Sequence, residues 1–153
     1  MIDDTANYQA FKYKDAGIIP NSVQACRETA GQVLVCDGKL ITAWYSNSNG
    51  GRTKRSDEAW SSYKRWTVAQ NDPWDVAGRA KWGEVKASHS VGMSQIGAAY
   101  AASVGFTYRD ILMFYYVNTE IRTNYGQGKP VEIINGGDGN MKTNLTLVEH
   151  ARQ

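Results

Sequence analysis

The chain has 153 residues, a formal net charge of +2 and 42% hydrophobic residues. This length fits a single domain that buries a hydrophobic core without help from metal ions or disulfides. The net charge is small and the basic residues are dispersed along the chain, so the composition argues against a nucleic-acid partner.

The sequence contains neither an evident membrane span nor an evident metal site. The longest apolar run, residues 111–117, is far shorter than the ~18 residues that a span needs. The polar N-terminus carries no export signal. No histidine lies at a zinc-like spacing from Cys26 or Cys36. We therefore interpret both cysteines as buried small apolar residues and predict no metal and no cofactor.

The N-terminal part of the chain predicts a strand followed by a short helix. Residues 8–14 alternate large and small side chains, as strands do. After a loop, Asn21 or Ser22 can cap a helix that continues through Glu28, and Gly31 ends it.

A β-hairpin is predicted next. Residues 32–36 and 39–45 are rich in β-forming side chains and are separated by Asp37-Gly38. This dipeptide favours a type I′ turn, so the two runs should pair as antiparallel strands.

Residues 46–53, with the sequence SNSNGGRT, contain no aliphatic side chain. A loop of this composition is often only a solvated connector. Here tryptophan and tyrosine residues flank it on both sides, and Arg52, Lys54 and Lys64 supply hydrogen-bond donors. Hydroxyl and amide groups beside flat rings suit sugars, although each aromatic residue taken alone is equally compatible with the core.

The middle of the chain is less informative. Residues 65–70 predict a further strand, which ends in a turn at Asp72-Pro73. Residues 78–86 are charged, and the sequence leaves their structure open.

A second polar loop, residues 87–95, leads into two predicted helices. The first runs over residues 94–102, with Gly105 as a left-handed C-terminal cap. Thr107 and Asp110 form the capping box of the second. Because polar loops at helix starts often carry binding groups, we expect residues 46–53 and 88–95 to meet in a groove at one end of the domain.

The predicted fold class is α+β, an antiparallel sheet with a β-hairpin and two or three short helices packed on one face. Residues 129–134 predict one last strand. We assign residues 1–134 to a domain and residues 135–153 to a linker and the start of a helix. The short helix leads us to expect a longer parent protein, and a frayed natural C-terminus is the alternative.

Several motifs in order resemble the SpoIID/LytB family. SHSVGMSQIGA at residues 88–98, followed by G-x-x-Y-x-x-I-L-x-x-Y-Y, is similar to the C-terminal signature of these domains. The similarity continues upstream in the family's order and spacing and covers residues 8–121. The other matching segments are residues 28–34, 37–43, 45–53, 57–60 and 72–75.

The resemblance implies a bacterial protein of the cell wall or the extracellular space that acts on peptidoglycan. In this family SpoIID, a sporulation protein, is a lytic transglycosylase, and LytB is an amidase enhancer. Such cleavage needs a carboxylic acid that protonates the leaving glycosidic oxygen and then activates the muramic 6-hydroxyl. Neither a metal nor a nucleotide is required.

The chain departs from the family at its catalytic and metal positions. The family's catalytic-glutamate segment has no counterpart here, and Tyr8 replaces the zinc-binding cysteine of some members. Serines occupy positions 88 and 90, where the family usually has glycines.

Glu58 is the predicted replacement acid, since it follows the Gly-Gly loop and Trp60 would desolvate it and raise its pKa. Glu28 and Glu84 are the alternatives, and both are better explained as solvated surface residues. We interpret His89 as a group that orients the loop or the substrate rather than a metal ligand. The predicted substrate-binding residues are Tyr45, Ser46, Ser48, Gly50, Gly51, Thr53, Trp60, Lys64, His89, Ser94 and Gln95.

Two hypotheses follow from the sequence. In the first, the chain is a lytic-transglycosylase scaffold that recognises peptidoglycan glycan strands, and the acid comes from Glu58 or from a segment absent from this chain. In the second, it is a non-catalytic glycan-binding module that assists a partner amidase or hydrolase.

Overall fold

The computed structural model of the protein describes residue 17, residues 19–126 and the backbone of residues 133–134. The predicted strand at residues 8–14 and the linker and helix at residues 135–153 lie outside the described residues. So does most of the predicted strand at residues 129–134, and the division into two segments stays a prediction.

The described residues form five helices and six strands, and most of these elements are short. In chain order they are α1 (Pro20–Glu28), β1 (Val33–Cys36), β2 (Lys39–Leu40), β3 (Tyr45–Ser46), α2 (Ser56–Ala59), α3 (Pro73–Trp82), β4 (Met93–Ser94), α4 (Gln95–Ser103), α5 (Tyr108–Tyr115), β5 (Glu120–Arg122) and β6 (Ile133–Ile134).

The main sheet is antiparallel, with strand order β2-β1-β5-β6, which confirms the α+β fold class. The predicted hairpin is present, because Val35 pairs with Leu40 across the turn. Asp37 and Gly38 have φ angles of 51° and 75°, the left-handed values that a type I′ turn requires at both central positions.

Two predictions about strands are wrong. The second hairpin strand ends at Leu40 rather than at residue 45, and Tyr45–Ser46 pairs in parallel with β4 in a separate two-stranded sheet. Residues 65–70 form no strand. Hydroxyl groups bind this segment instead, since Thr53 Oγ1 donates to the Val68 carbonyl at 2.6 Å.

The predicted turn at Asp72-Pro73 is the start of helix α3. The Asp72 side chain accepts a hydrogen bond from the Asp75 N–H, and Pro73 occupies the first helical position, where its missing N–H has no cost. The helix continues to Trp82 through part of the segment that the sequence left open.

The helix signals for α4 and α5 are confirmed. Ser94 caps α4 by accepting a hydrogen bond from the Gly97 N–H, and Thr107 and Asp110 form the predicted capping box of α5. Gly105 has a φ of 99°, as expected just after the end of α4. The predicted cap of α1 by Asn21 or Ser22 is wrong, because the helix begins at Pro20 and no side chain caps it.

The hydrophobic core lies among α3, α4 and α5. Its buried members are Trp74, Ala101, Ile111, Tyr115 and Tyr116. Helices α3 and α4 approach closely because glycines face the contact: a Cβ at Gly78 would lie 2.7 Å from the Ile96 carbonyl oxygen. Tyr115 belongs to this core, and its hydroxyl lies next to Gly97 in the first turn of α4.

Cys36 is buried, as predicted, but Cys26 is exposed on α1 and the prediction for it is wrong. Burial raises the pKa of the Cys36 thiol. Both cysteines are free, and the described residues contain no cluster of metal-binding side chains. None of the helices in this part of the chain has the length and apolar character that a membrane crossing requires.

Gly92 should tolerate no side chain. Its φ is 75°, and a Cβ there would collide with the Trp44 carbonyl oxygen, which accepts a hydrogen bond from Met93 N–H. We expect Gly92→Ala to lower the free energy of unfolding by more than about 3 kcal/mol, because the β3–β4 pairing must open.

Gly105→Ala is the matched control. Gly105 also has a positive φ, of 99°, but nothing lies within 4 Å of the added methyl group. Its cost should be about 1 kcal/mol, from backbone strain alone. Urea unfolding of the two variants measures the difference, and equal losses would contradict the close approach at Gly92.

Candidate functional site

The two polar loops lie side by side, as the sequence predicted. Strands β3 and β4, one from each loop, run parallel to each other. Lys54 N–H donates to the Ser90 carbonyl at 2.8 Å, and Ser88 N–H donates to the Ser48 carbonyl at 3.3 Å. Backbone hydrogen bonds therefore join the two loops directly, so the loops do not face each other across the predicted groove. We call the joined loops, residues 46–53 and 88–95, the ridge.

Two aspartates, Asp72 and Asp75, lie beneath this ridge with fully buried side chains. We call these two residues and the groups that bind them the aspartate cluster. A buried carboxylate is costly unless hydrogen bonds surround it. The partners in this case come from three other parts of the chain, so the cluster joins elements that are distant in sequence.

Asp75 is held in its charged form. Its Oδ1 accepts hydrogen bonds from the Asn49 N–H at 3.0 Å and from Ser94 Oγ at 2.7 Å. Its Oδ2 accepts from Arg79 Nε at 2.9 Å. Burial by itself would raise the pKa of Asp75, but the hydrogen bonds from Ser94, Arg79, Ser48 and the Asn49 N–H outweigh it and lower the pKa.

Asp72 has the opposite pKa shift. Its Oδ2 accepts hydrogen bonds from Asn49 Nδ2 and from the Tyr115 hydroxyl, both at 2.7 Å. Burial raises the pKa of Asp72 in spite of these bonds, and the nearby charge of Asp75 raises it further. Burial and the neighbouring Asp72 also raise the pKa of Tyr115, so its hydroxyl keeps its proton and donates it.

The sequence analysis missed the aspartate cluster. The D-P-x-D pattern at residues 72–75 carries the signal, because it combines an aspartate cap, a proline at the first helical position and an acid at the third. Nothing in the sequence shows that the same carboxylates also bind Asn49 and Ser94 from the two loops.

Four of the predicted sugar-binding side chains belong to the interior. Ser48, Thr53 and Ser94 are 0% exposed, and Ser46 is 8% exposed. Each takes part in hydrogen bonds within the protein: Ser46 Oγ, for example, donates to the Ser48 carbonyl at 3.0 Å. These hydroxyl groups stabilise the ridge and are not accessible to a ligand in this conformation.

The loop glycines also have an internal role. Gly50 N–H donates to Ser48 Oγ at 3.1 Å, and Gly51 N–H donates to Asn49 Oδ1 at 3.0 Å. Both glycines have positive φ angles, 75° and 91°, that few other residues adopt.

Gln95, at the first position of α4, is exposed.

An aromatic surface flanks the ridge. Trp60 is 40% exposed, and its ring lies 4.9 Å from the Trp44 ring and 5.1 Å from the His89 ring. Trp66 stacks on the other side of Trp44 at 6.1 Å, with 24° between the planes. We call these four side chains the tryptophan patch. Three predicted site segments, around residues 44, 60 and 89, thus meet in one place.

Charged side chains occupy the segments on both sides of Trp60 in the sequence. Arg52 pairs with Glu58 at 3.1 Å and Arg55 pairs with Asp57 at 2.9 Å. The guanidinium of Arg55 also lies 5.8 Å from the ring centre of Tyr63, which is 55% exposed. Lys64 is half-buried, and its N–H donates to Ser56 Oγ at 2.7 Å.

The expected high pKa of Glu58 is wrong. The Arg55 N–H and the Arg52 guanidinium both bind its carboxylate, at 3.0 and 3.1 Å, and lower its pKa. The Glu58 carboxylate thus accepts the Arg55 N–H at the start of α2. It is therefore charged at neutral pH and holds no proton that it can give to a leaving group. A catalytic role for Glu58 stays a prediction.

A separate apolar cavity of about 500 Å³ lies between the hairpin and α5. No predicted site residue lines it. Its walls are formed by Thr29, Gln32, Val33, Leu34, Leu40, Ile41, Ala43, Tyr108, Leu112 and Ile121.

Comparison with known proteins identifies one informative relative. No protein-family model matches the chain. A segment of 74 residues is 40% identical to the amidase enhancer of Bacillus subtilis strain 168. The matched segment is 48% of this chain and 10% of the relative, so this chain corresponds to a small part of that protein.

Ser90 tests the structure of the ridge. It has a φ of 62°, a left-handed value that favours glycine, and its hydroxyl donates to the Asn49 carbonyl at 3.1 Å. We expect Ser90→Ala to lose about 1–2 kcal/mol of stability, because the strain stays and the buried bond is lost. Ser90→Gly should be more stable than Ser90→Ala by about 1 kcal/mol, since glycine relieves the strain. The urea unfolding midpoints of the two variants measure this difference. A Ser90→Gly variant that is less stable than Ser90→Ala would refute the left-handed backbone conformation at Ser90.

Asp75→Asn tests the aspartate cluster. We expect this variant to lose about 3–5 kcal/mol of unfolding free energy at neutral pH, because a buried ion pair loses one partner. Glu84→Gln is the control. Glu84 is the other carboxylate that pairs with Arg79, and its side chain is 78% exposed. Its replacement should lower the free energy of unfolding by less than about 1 kcal/mol.

The same variant has a predicted pH dependence. The pKa of Asp75 is lowered from its usual 3.8, so its stabilisation is complete above that pH and is lost as the pH falls through the lower, folded-state value. Denaturation curves should therefore show that the difference in unfolding free energy between wild type and Asp75→Asn becomes smaller as the pH falls below 3.8. A gap that stays constant across the acid range would contradict the charged state of Asp75.

Proposed function

We propose that this chain, which resembles the SpoIID/LytB family, is a non-catalytic module that binds peptidoglycan glycan strands and assists a cell-wall amidase or hydrolase. Its place of action would be the bacterial cell wall or the extracellular space, where peptidoglycan is found. The observation that carries the proposal is the half-exposed ring of Trp60 in the tryptophan patch.

The patch has the properties of a sugar-stacking surface. A pyranose ring presents C–H groups on its faces and hydroxyl groups at its edges. The exposed part of the Trp60 ring offers a flat apolar contact, and the tilted rings of Trp44 and His89 pack against it. Fixing the ring before binding reduces the entropy that is lost when a sugar stacks on it.

Polar groups beside the patch can bind the sugar edges. The side chains of Lys54, Arg55 and Arg52 are exposed and lie close to Trp60 in the sequence. Their N–H groups can donate to the hydroxyl, acetamido and carboxylate oxygens of a glycan strand. An open, ring-lined surface of this kind suits a polymer, because a chain can extend past it in both directions.

The state of Glu58 favours binding over catalysis. A lytic transglycosylase needs a carboxylic acid that holds a proton at the working pH. The Arg55 N–H and Arg52 lower the pKa of Glu58, and hydrogen bonds inside the protein occupy both Asp72 and Asp75. The name of the Bacillus subtilis relative, an amidase enhancer, agrees with a helper role.

Binding to purified glycan strands, measured by calorimetry, tests the proposal. We expect Trp60→Ala to weaken binding at least about 30-fold, the loss of a central aromatic contact of about 2 kcal/mol. Trp82→Ala is the matched control: Trp82 is 48% exposed, but it packs on Tyr100 of α4 and belongs to another surface. Equal affinities for the wild type and Trp60→Ala would refute the site.

The enzymatic alternative has its own readout. The wild-type protein incubated with the same strands should produce no 1,6-anhydromuramic ends detectable by mass spectrometry. If such ends form, and Glu58→Gln abolishes them, the chain is a transglycosylase and the binding-module proposal fails.

A further inference from the structure

His89 makes hydrogen bonds with both ring nitrogens. Nδ1 lies 3.0 Å from the Val91 N–H, and Nε2 lies 3.2 Å from the Tyr45 carbonyl oxygen. An N–H group only donates and a carbonyl only accepts. The two partners therefore fix the tautomer: Nδ1 is bare and accepts, and Nε2 carries the proton and donates.

This arrangement ties the imidazole to both strands of the ridge. Tyr45 belongs to β3, and Val91 lies just before β4 and is 0% exposed. The orientation of the ring thus follows from rigid backbone on two sides. The ring also contacts Trp60, with 5.1 Å between the ring centres and 47° between the planes.

Trp60 depends on such contacts for its orientation. It is the residue that ends α2, a helix of only four residues, and exposed serines follow it. Its ring is held by Trp44 and His89, which come from other segments of the chain. Removal of either neighbour takes away one of these two ring contacts.

We infer that neutral His89 is a positioning residue for Trp60, and that protonation of its Nδ1 releases the indole ring and weakens glycan binding. This inference rests on the proposed function. His89 contacts the ring of Trp60 and acts on a ligand only through that ring.

The hydrogen bonds explain why a second proton is disruptive. A proton on Nδ1 would point at the Val91 N–H, so two donors would oppose each other at 3.0 Å. The ring must then turn or move away, and its contact with Trp60 is lost. Burial lowers the pKa of His89 from its usual 6.5, partly offset by the bond to the Tyr45 carbonyl, so the neutral form prevails at pH 7.

The charged groups nearby leave this arrangement undisturbed. The elements that pack against His89 carry Tyr45 on β3, Lys54 opposite Val91, and Asp57 and Glu58 on α2. Asp57 pairs with Arg55, and Glu58 pairs with Arg52. Lys86 precedes His89 in its own loop. Among the described residues, no carboxylate forms an ion pair with the imidazole.

The test is calorimetric binding of purified glycan strands between about pH 8 and about pH 5, across the range in which histidine titrates. The wild-type affinity should fall about tenfold for each pH unit below the pKa of His89, because only the neutral fraction is competent to bind. Tryptophan fluorescence should change over the same range.

Two variants separate positioning from simple folding. In His89→Asn, the amide oxygen can still accept from the Val91 N–H but does not titrate, so both the binding and the fluorescence profiles should become flat with pH. His150→Asn replaces the other histidine of the chain, which lies outside the described residues, and should keep the wild-type profile. Circular dichroism checks that both variants are folded.

The outcomes distinguish this inference from the proposed function. A wild-type protein that binds no glycan at any pH ends the proposed function, and this inference with it, whatever the fluorescence shows. Glycan binding that does not change with pH, or a His89→Asn variant that keeps the wild-type profile, overturns the role of His89 and leaves the proposed function intact.

Discussion

The hydrogen bonds that surround the Asp75 carboxylate hold the site region together. One fully buried charge binds the Asn49 N–H of the first loop, the Ser94 cap of α4 and the Arg79 guanidinium of α3. A buried charge with well-placed partners resists displacement, because any movement leaves it unpaired. The first loop, α4 and α3 are therefore fixed relative to one another by the same group.

This cluster also explains which side of the ridge is available for binding. The serine and threonine hydroxyls that looked like ligand contacts lie on the inner side, where they bind backbone and carboxylate groups. The outer side carries the rings of Trp44, Trp60 and His89. Polar residues thus build the scaffold and aromatic residues form the surface, the reverse of what an exposed Ser/Asn/Gly loop indicates.

Local signals were readable from the sequence, and long-range ones were not. Asp37-Gly38 fixed the hairpin turn, and Ser94, Thr107 and Asp110 marked helix starts, because such caps and turns depend on neighbouring residues. The burial of Ser48 and Thr53 depends on Asp75 and Gln70, which are distant in sequence. The pKa of Glu58 likewise depends on Arg52 and on a backbone N–H that composition does not reveal.

The claim that a ligand touches the tryptophan patch and not the polar loop can be measured directly. The indole N–H signals of the five tryptophans are resolvable in a nitrogen-15 NMR spectrum, and glycan strands can be titrated into the sample. The account predicts that the signals of Trp60 and Trp44 shift on titration, while those of Trp74 in the core and Trp82 on α3 stay in place. Shifts confined to Trp82, with Trp60 unchanged, would contradict it.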